Sequence, residues 1–250
     1  SFCLTQSPIT FVTTSGEEYD TYYEMPDYAA SGFQIDDGYI VTGTSREPAP
    51  GGGDILIMKI NKHGDKIWAK SLIDGDDPHQ DVGIDILPSN DGGYIIGGRM
   101  FFNGGRGTDA ILMKTDGNGN ELWTNYYGDD NYDHGYSTTK TIDGNYAMLV
   151  TDCITFDECS FFIVKVDDNG NDIWRSDSFA HASTTAGGKI SATNDGGVAL
   201  AYKYSNQYYV EKRNIDGVIE WQQTFLDLNI FDIIQTSDGG YMLAGHDNTS

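Results

Sequence analysis

One motif recurs along the chain and limits what it can fold into. It reads "DDGYIVTG" at 36–43, "NDGGYIIGG" at 90–98, "IDGNYAMLV" at 142–150, "NDGGVALAY" at 194–202 and "SDGGYMLAG" at 237–245. Anchored on Tyr39, Tyr94, Tyr146, Val198 and Tyr241, the spacings are 55, 52, 52 and 43 residues. A second motif follows each of the first four and ends at Trp68, Trp123, Trp174 and Trp221, which are the four tryptophans of the chain. A period of this length marks an array of supersecondary units, each too small to bury its own apolar surface.

Each unit reads as four short strands. In the second, Asp81–Ser89 alternates weakly and runs into the turn Asn90-Asp91-Gly92-Gly93. Tyr94–Gly98 is a second strand, Asp109–Thr115 a third that is apolar enough for burial on both faces, and Glu121–Tyr127 a fourth carrying Trp123. Turn-rich Asp/Asn/Gly segments separate them, because these residues suit tight turns and positive φ. No segment reads as an amphipathic helix. Four strands per unit of about 50 residues point to an all-β, five-bladed β-propeller with four antiparallel strands per blade.

The chain ends after the second strand of a unit, and residues 1–16 match a third and fourth strand, Phe11 aligning with Trp123. N- and C-terminal strands are therefore expected to share one blade and close the ring, covering sheet edges that would otherwise recruit other chains. The expected blades are 17–73, 74–128, 129–180, 181–227, and 228–250 with 1–16. They form one domain.

These units resemble the "DGGY…D-x-x-x-x-K-x-D-x-x-G-N-x-x-W" repeats of secreted and cell-surface propeller proteins of bacteria and archaea. Their blade order is similar to kelch-type and quinoprotein-type propellers. The resemblance implies the fold and an extracellular setting, and carries no particular activity. It brings no quinone site, since a distinctive set of quinone-contacting residues is missing. Val198 for Tyr, Tyr202 for the closing Gly and Phe11 for Trp depart from the pattern.

Charge narrows the partners. With 15 Lys+Arg against 38 Asp+Glu, the net charge is −23. Such a surface repels phosphate backbones, which argues against nucleic acid. No apolar run approaches about 18 residues, so membrane insertion is not expected. The sequence begins without a charged-then-apolar leader, as a mature secreted protein would.

The second-to-third connections and the links between blades are long and irregular, unlike the short turns at the other end. Function on a rigid scaffold tends to sit on such loops. This loop face is acidic, with Asp74, Asp76, Asp77, Asp129 and Asp130 in the links. Asp27, Asp81 and Asp133 begin the innermost strands 12, 13 and 13 residues before their anchors, and are expected near a channel mouth. Converging carboxylates raise one another's pKa or recruit a cation, and Ca²⁺ would take six to eight oxygens. The alternative is that these Asp side chains accept backbone N–H bonds. Phe101 and Phe102, with Tyr126, Tyr127, Tyr132 and Tyr136, supply rings that could meet a sugar face.

Cys153 and Cys159 bracket a five-residue loop between adjacent strands and are expected to form a disulfide, which belongs to an oxidising compartment. Cys3 is expected to be a buried thiol. Asp116-x-Asn118-x-Asn120 and Asp167-x-Asn169-x-Asn171 open like EF-hand loops but lack the central Gly and distant Glu, so hairpin turns are expected there. No two of the five histidines share a close metal-ligand spacing, and no Ser-His-Asp or Cys-His signature appears.

The expected function is a non-catalytic module, extracellular or at the cell surface. It would bind glycan or protein, or assemble with itself, through the acidic loop face. No cofactor is required, though Ca²⁺ could bind. A glycoside hydrolase using channel-mouth carboxylates, or a structural subunit of a surface layer or filament, are the other readings.

Overall fold

The computed structural model describes residues 28–45, 53–72, 81–102, 107–129, 132–155, 158–182, 187–204, 207–226 and 228–247. Every regular element among them is a strand, and each repeat forms one antiparallel sheet in sequence order. The first sheet comprises β1 (Tyr28–Ile35), β2 (Gly38–Ser45), β3 (Asp54–Asn61) and β4 (Lys66–Leu72). The second comprises β5 (Val82–Pro88), β6 (Tyr94–Phe102), β7 (Gly107–Thr115) and β8 (Glu121–Tyr127). The third holds β9 (His134–Lys140), β10 (Tyr146–Thr155), β11 (Glu158–Val166) and the short β12 (Asp172–Arg175). An unforeseen strand, β13 (Phe179–Ala182), also pairs with β11, beyond the point where β12 stops. The fourth sheet holds β14 (Gly188–Ala192), β15 (Val198–Tyr204), β16 (Gln207–Arg213) and β17 (Ile219–Phe225), and the last pairs β18 (Leu228–Gln235) with β19 (Tyr241–Asp247).

The described residues do not close a ring. Residues 1–16, assigned from sequence to the last sheet, lie outside them, as do Cys3 and Asp27. The first strands of successive sheets pack in a row, β1 on β5, β5 on β9, β9 on β14 and β14 on β18. Apolar side chains fill each space between neighbouring sheets. Ile40, Ile55, Ile57, Ile96 and Met113 fill the first space, and Leu112, Tyr146, Met148 and Val164 the second. Leu149, Ile163 and Leu200 fill the third, and Ala199, Val210 and Ile233 the fourth. Of the third strands, β7 is buried on both faces along its whole length and β11 along nearly all of it, as the unbroken apolar run of β7 requires.

The repeat residues explain themselves in this packing. The aspartate of each first-to-second turn meets the lysine of the third strand: Asp37 with Lys59 at 2.9 Å, Asp91 with Lys114 at 2.9 Å, Asp143 with Lys165 at 2.8 Å and Asp195 with Lys212 at 2.8 Å. Two of these lysines reach onward into the next sheet. Lys114 contacts Asp168 at 2.6 Å and Lys165 donates to the Gly196 carbonyl at 3.2 Å. The tryptophans also reach forward. Trp68, Trp123 and Trp174 lie against the third-to-fourth turn of the following sheet, at Gly119, Gly170 and Gly217. Those glycines have φ of +74°, +83° and +82°, where a side chain would be strained and would press on the indole.

Candidate functional site

The short turns behave as hairpin chemistry requires. Asp116 Oδ1 accepts the Asn118 and Asn120 amides at 2.8 and 2.9 Å, and Asp167 repeats this with Asn169 and Asn171 at the same distances. Asn61 and Asn214 do the same with a neutral oxygen, so the carboxylate charge is incidental to the turn.

At the opposite end, Asp81 and Asp133 occupy the equivalent positions expected of them, immediately before β5 and β9. Each backbone N–H bonds at the start of the third strand of the preceding sheet: Asp81 to the O of Gly53, just before β3, at 2.6 Å and Asp133 to the O of Thr108 in β7 at 2.7 Å. Each carboxylate then turns into its own sheet. Asp81 Oδ1 accepts the Phe101 amide at 2.8 Å, and Asp133 Oδ1 accepts the Cys153 amide at 2.9 Å. Both side chains are thus occupied in holding the end of the second strand. These are bonds of the kind the backbone-bonding alternative expects. Among the described residues, Asp81 does not share a carboxylate cluster with Asp133.

Asp133 has other company. Its second oxygen accepts the Asp129 amide at 2.8 Å, and its carboxylate lies with those of Asp129 and Asp152, one oxygen of each within 4.8 Å of the others. Asp129 is exposed, Asp152 partly buried, and Asp133 fully buried. Gly128 permits the approach, since a Cβ there would collide with Asp133 Oδ2 and come within 3.0 Å of Asp109 Oδ1. Cys153 and Cys159 face each other across β10 and β11 and are disulfide-bonded, which fixes the strand segment carrying Asp152. Asp152 was not singled out from the sequence. It belongs to an extension of β10 that the motif length does not announce. Asp76, Asp77 and Asp130 lie outside the described residues.

Phe101 and Phe102 are strand residues rather than loop residues, because β6 continues to Phe102 in register with Gly107. Phe102 packs against the core between the first two sheets and meets Tyr126 edge-to-face at 5.4 Å. Of the histidines, His63 is in an exposed turn, His79 and the His181 side chain lie outside the described residues, and His246 is exposed beside Asn229. His134 is partly buried.

Burial pushes the Asp133 carboxyl up to about 7, the neighbouring Asp152 and Asp129 charges add to this, and its two amide bonds oppose it. In contrast, Asp91, Asp143 and Asp195 are held down at about 2 by their hydrogen bonds to lysine and to Ser or Thr. The two groups act with opposite sign. A carboxyl raised in the folded state stabilises it while protonated, and that contribution is lost as pH rises from about 4 to about 7. The lowered carboxyls contribute fully above about 4 and lose their contribution as pH falls towards about 2. Without divalent cations, the melting temperature should therefore peak near pH 4 to 5. A scan from pH 3 to 8 in chelator checks this. Melting that is flat from pH 4 to 7 would contradict the placement of Asp133.

No family model matches the chain, and no curated protein matches its sequence. Among solved structures, a protein of unknown function from Bacteroides caccae is similar at a TM-score of 0.49 with 10% identity, over 90% of this chain and 73% of that one. A hypothetical protein from Leishmania major is similar at a TM-score of 0.42 with 11% identity, over 90% of this chain and 82% of that one. No helix among the described residues is long and apolar enough to cross a membrane.

Proposed function

We propose that this chain is a five-bladed β-propeller that serves as a non-catalytic recognition or assembly module outside the cell, contacting a glycan or protein partner through its acidic loop face. Residues 1–16 would complete the last blade beside β19. Two features support the ring. The first strands already stand in a row, and the outer faces of the first and last sheets are apolar and left open by the other described residues. On the first sheet, Ala29, Ser31, Phe33, Tyr39 and Val41 line an open hollow of about 250 Å³. On the last, Phe231 and Met242 are 59% and 57% exposed. The disulfide fits an oxidising compartment.

The observation that carries the functional reading is the Asp129, Asp133 and Asp152 group on the loop face. Three carboxylates this close, one of them fully buried and short of charge compensation, favour a hard divalent cation such as Ca²⁺. The cation would draw its remaining oxygens from water or from a partner. It would also let a protein of charge −23 engage acidic surfaces.

Ca²⁺ should raise the melting temperature and chelator should lower it, since a ligand bound only to the folded state stabilises it by mass action. At a concentration one hundred times the dissociation constant the gain is about 2.7 kcal/mol, a shift of roughly 5–10 °C. Asp152→Asn should abolish the response, and Asp81→Asn should leave it. A melting temperature indifferent to Ca²⁺ would remove the cation from this reading. Polysaccharide cleavage that disappears in Asp133→Asn would overturn the non-catalytic assignment and favour the hydrolase.

A further inference from the structure

Arg99 stands apart from the other described arginines, since Arg175 and Arg213 each pair with a carboxylate. Lys59, Lys114, Lys165, Lys212 and Arg213 each have a carboxylate partner. Arg99 is partly buried in β6 and has no carboxylate partner among the described residues, in a chain with 38 acidic side chains. Its one hydrogen-bond contact is with His134, Nη1 to Nε2 at 3.5 Å. The guanidinium can only donate, so Nε2 accepts and the imidazole proton sits on Nδ1, which has no partner among the described residues.

The approach of the two side chains is built into the packing. β9 crosses β6 so closely that a Cβ on Gly135 would lie 2.6 Å from the Gly98 carbonyl, and one on Gly97 would strike Thr138. Only glycine at these positions lets the first strand of the third sheet lie on the second strand of the second. Arg99 and His134 are then brought together at the loop-face end, one residue beyond the contact on each strand. Tyr136 follows on β9, its ring centroid 6.2 Å from that of His134. Its hydroxyl has no hydrogen-bond partner among the described residues, and the Arg99 charge acts on it as well as on His134. Phe161 flanks its ring edge-to-face at 6.5 Å.

The position of Arg99 varies among the repeats, and the fourth and fifth units carry Lys203 and His246 there. Five residues after the anchor, the first and third units carry Thr44 and Thr151, whose hydroxyls bond to the carbonyls of Asp81 and His134. The second unit gives up that bond for a guanidinium.

The geometry points to a binding subsite, formed by Arg99, His134 and Tyr136, for a carboxylate carried on a sugar ring, as in a uronic acid. Arg99 would take the carboxylate, in the bidentate geometry that a guanidinium offers. His134 Nδ1–H and the Tyr136 hydroxyl would bond to ring hydroxyls, and the Tyr136 ring would present its face to the sugar. The inference rests on the recognition reading and specifies the ligand of the same face. The Arg99 guanidinium acts as a filter. The surrounding negative field disfavours anions in general, and only one that gains a directed ion pair is retained.

The test uses methyl glucuronide, methyl glucoside, acetate and a short Asp/Glu peptide as probes, with binding followed by calorimetry or ligand-observed NMR in the presence of Ca²⁺. The glucuronide should bind at least about tenfold more tightly than the glucoside, as one charge-assisted pair provides. Arg99→Gln should erase that preference while leaving the melting temperature and its Ca²⁺ response unchanged, and Arg99→Lys should restore it in part. Equal binding of glucuronide and glucoside, or binding of neither, would overturn the subsite. Acetate binding as tightly as the glucuronide would overturn the sugar assignment, and so would a peptide that outcompetes it. Loss of the Ca²⁺ response in Asp152→Asn reads the cation separately, so either idea can fail alone.

Discussion

Removing residues 1–16 should promote aggregation or oligomerisation and lower the melting temperature by roughly 10 °C or more. The last sheet has only β18 and β19 among the described residues, and β19 is exposed along most of its length. A bare edge of this kind offers unpaired N–H and C=O groups to any extended chain, and β19 has few charged side chains to deter pairing. The apolar outer face of the same sheet, with Phe231 and Met242, adds a second cause of association. Light scattering after size exclusion would detect the change. A synthetic peptide of residues 1–16 added to the truncated protein should reverse it. A truncated chain that stays monomeric with an unchanged melting temperature would sink the closure and leave a four-bladed or open array.

The second large effect concerns the lysine clamps. Lys165 is 1% exposed, and its ammonium bonds to Asp143 and to the Gly196 carbonyl. Asp143→Ala should cost about 3–5 kcal/mol, because it leaves an ammonium buried with no anion beside it. Lys165→Met should cost less than about 1.5 kcal/mol. The thioether side chain fills similar space, and Asp143, 28% exposed, keeps its bonds to Thr141 and Asn145 and turns to water. Denaturant melts of the two variants give both numbers. The decisive feature is their order, and a lysine variant weaker than the aspartate variant would show that the pair acts through attraction alone.

Much of this was legible in advance because the repeat carries its own checks. Five copies of one pattern fixed the four-strand unit, and the run Ala110–Met113 marked a strand buried on both sides. Cys153 and Cys159 were paired correctly because the loop between them can only join neighbouring strands. The lengths of individual strands were harder. β6 and β10 run beyond their motifs, to Phe102 and Thr155, because the second-to-third hairpins continue the ladder as far as chain length allows. That extension moved Phe101 and Phe102 from loop to sheet and brought Asp152 to Asp133. β13 had no signal, since Phe179–Ala182 pairs only where the fourth strand stops early.

The candidate site was half visible. The repeat pointed to Asp81 and Asp133, whose equivalent positions make equivalent bonds to the end of the second strand, while Asp133 also joins Asp129 and Asp152. Function is better sought where a unit breaks its own rule. Arg99 lies at a position where the units differ, Thr44, Arg99, Thr151, Lys203 and His246, and aligning the five units five residues past the anchor brings it out.

The forward reach of the lysines and tryptophans gives the molecule a polarity along the chain. Trp68, Trp123 and Trp174 each dock on the unit that follows them, as Lys114 and Lys165 do. Each repeat is thus both donor and acceptor in one grammar of contacts, and a duplicated unit arrives with both halves of its junction in hand. Lengthening the array by whole units would create no unsatisfied group. Trimming it by a fraction of a unit would orphan the half that remains. An ancestral gene could therefore grow in only one kind of step.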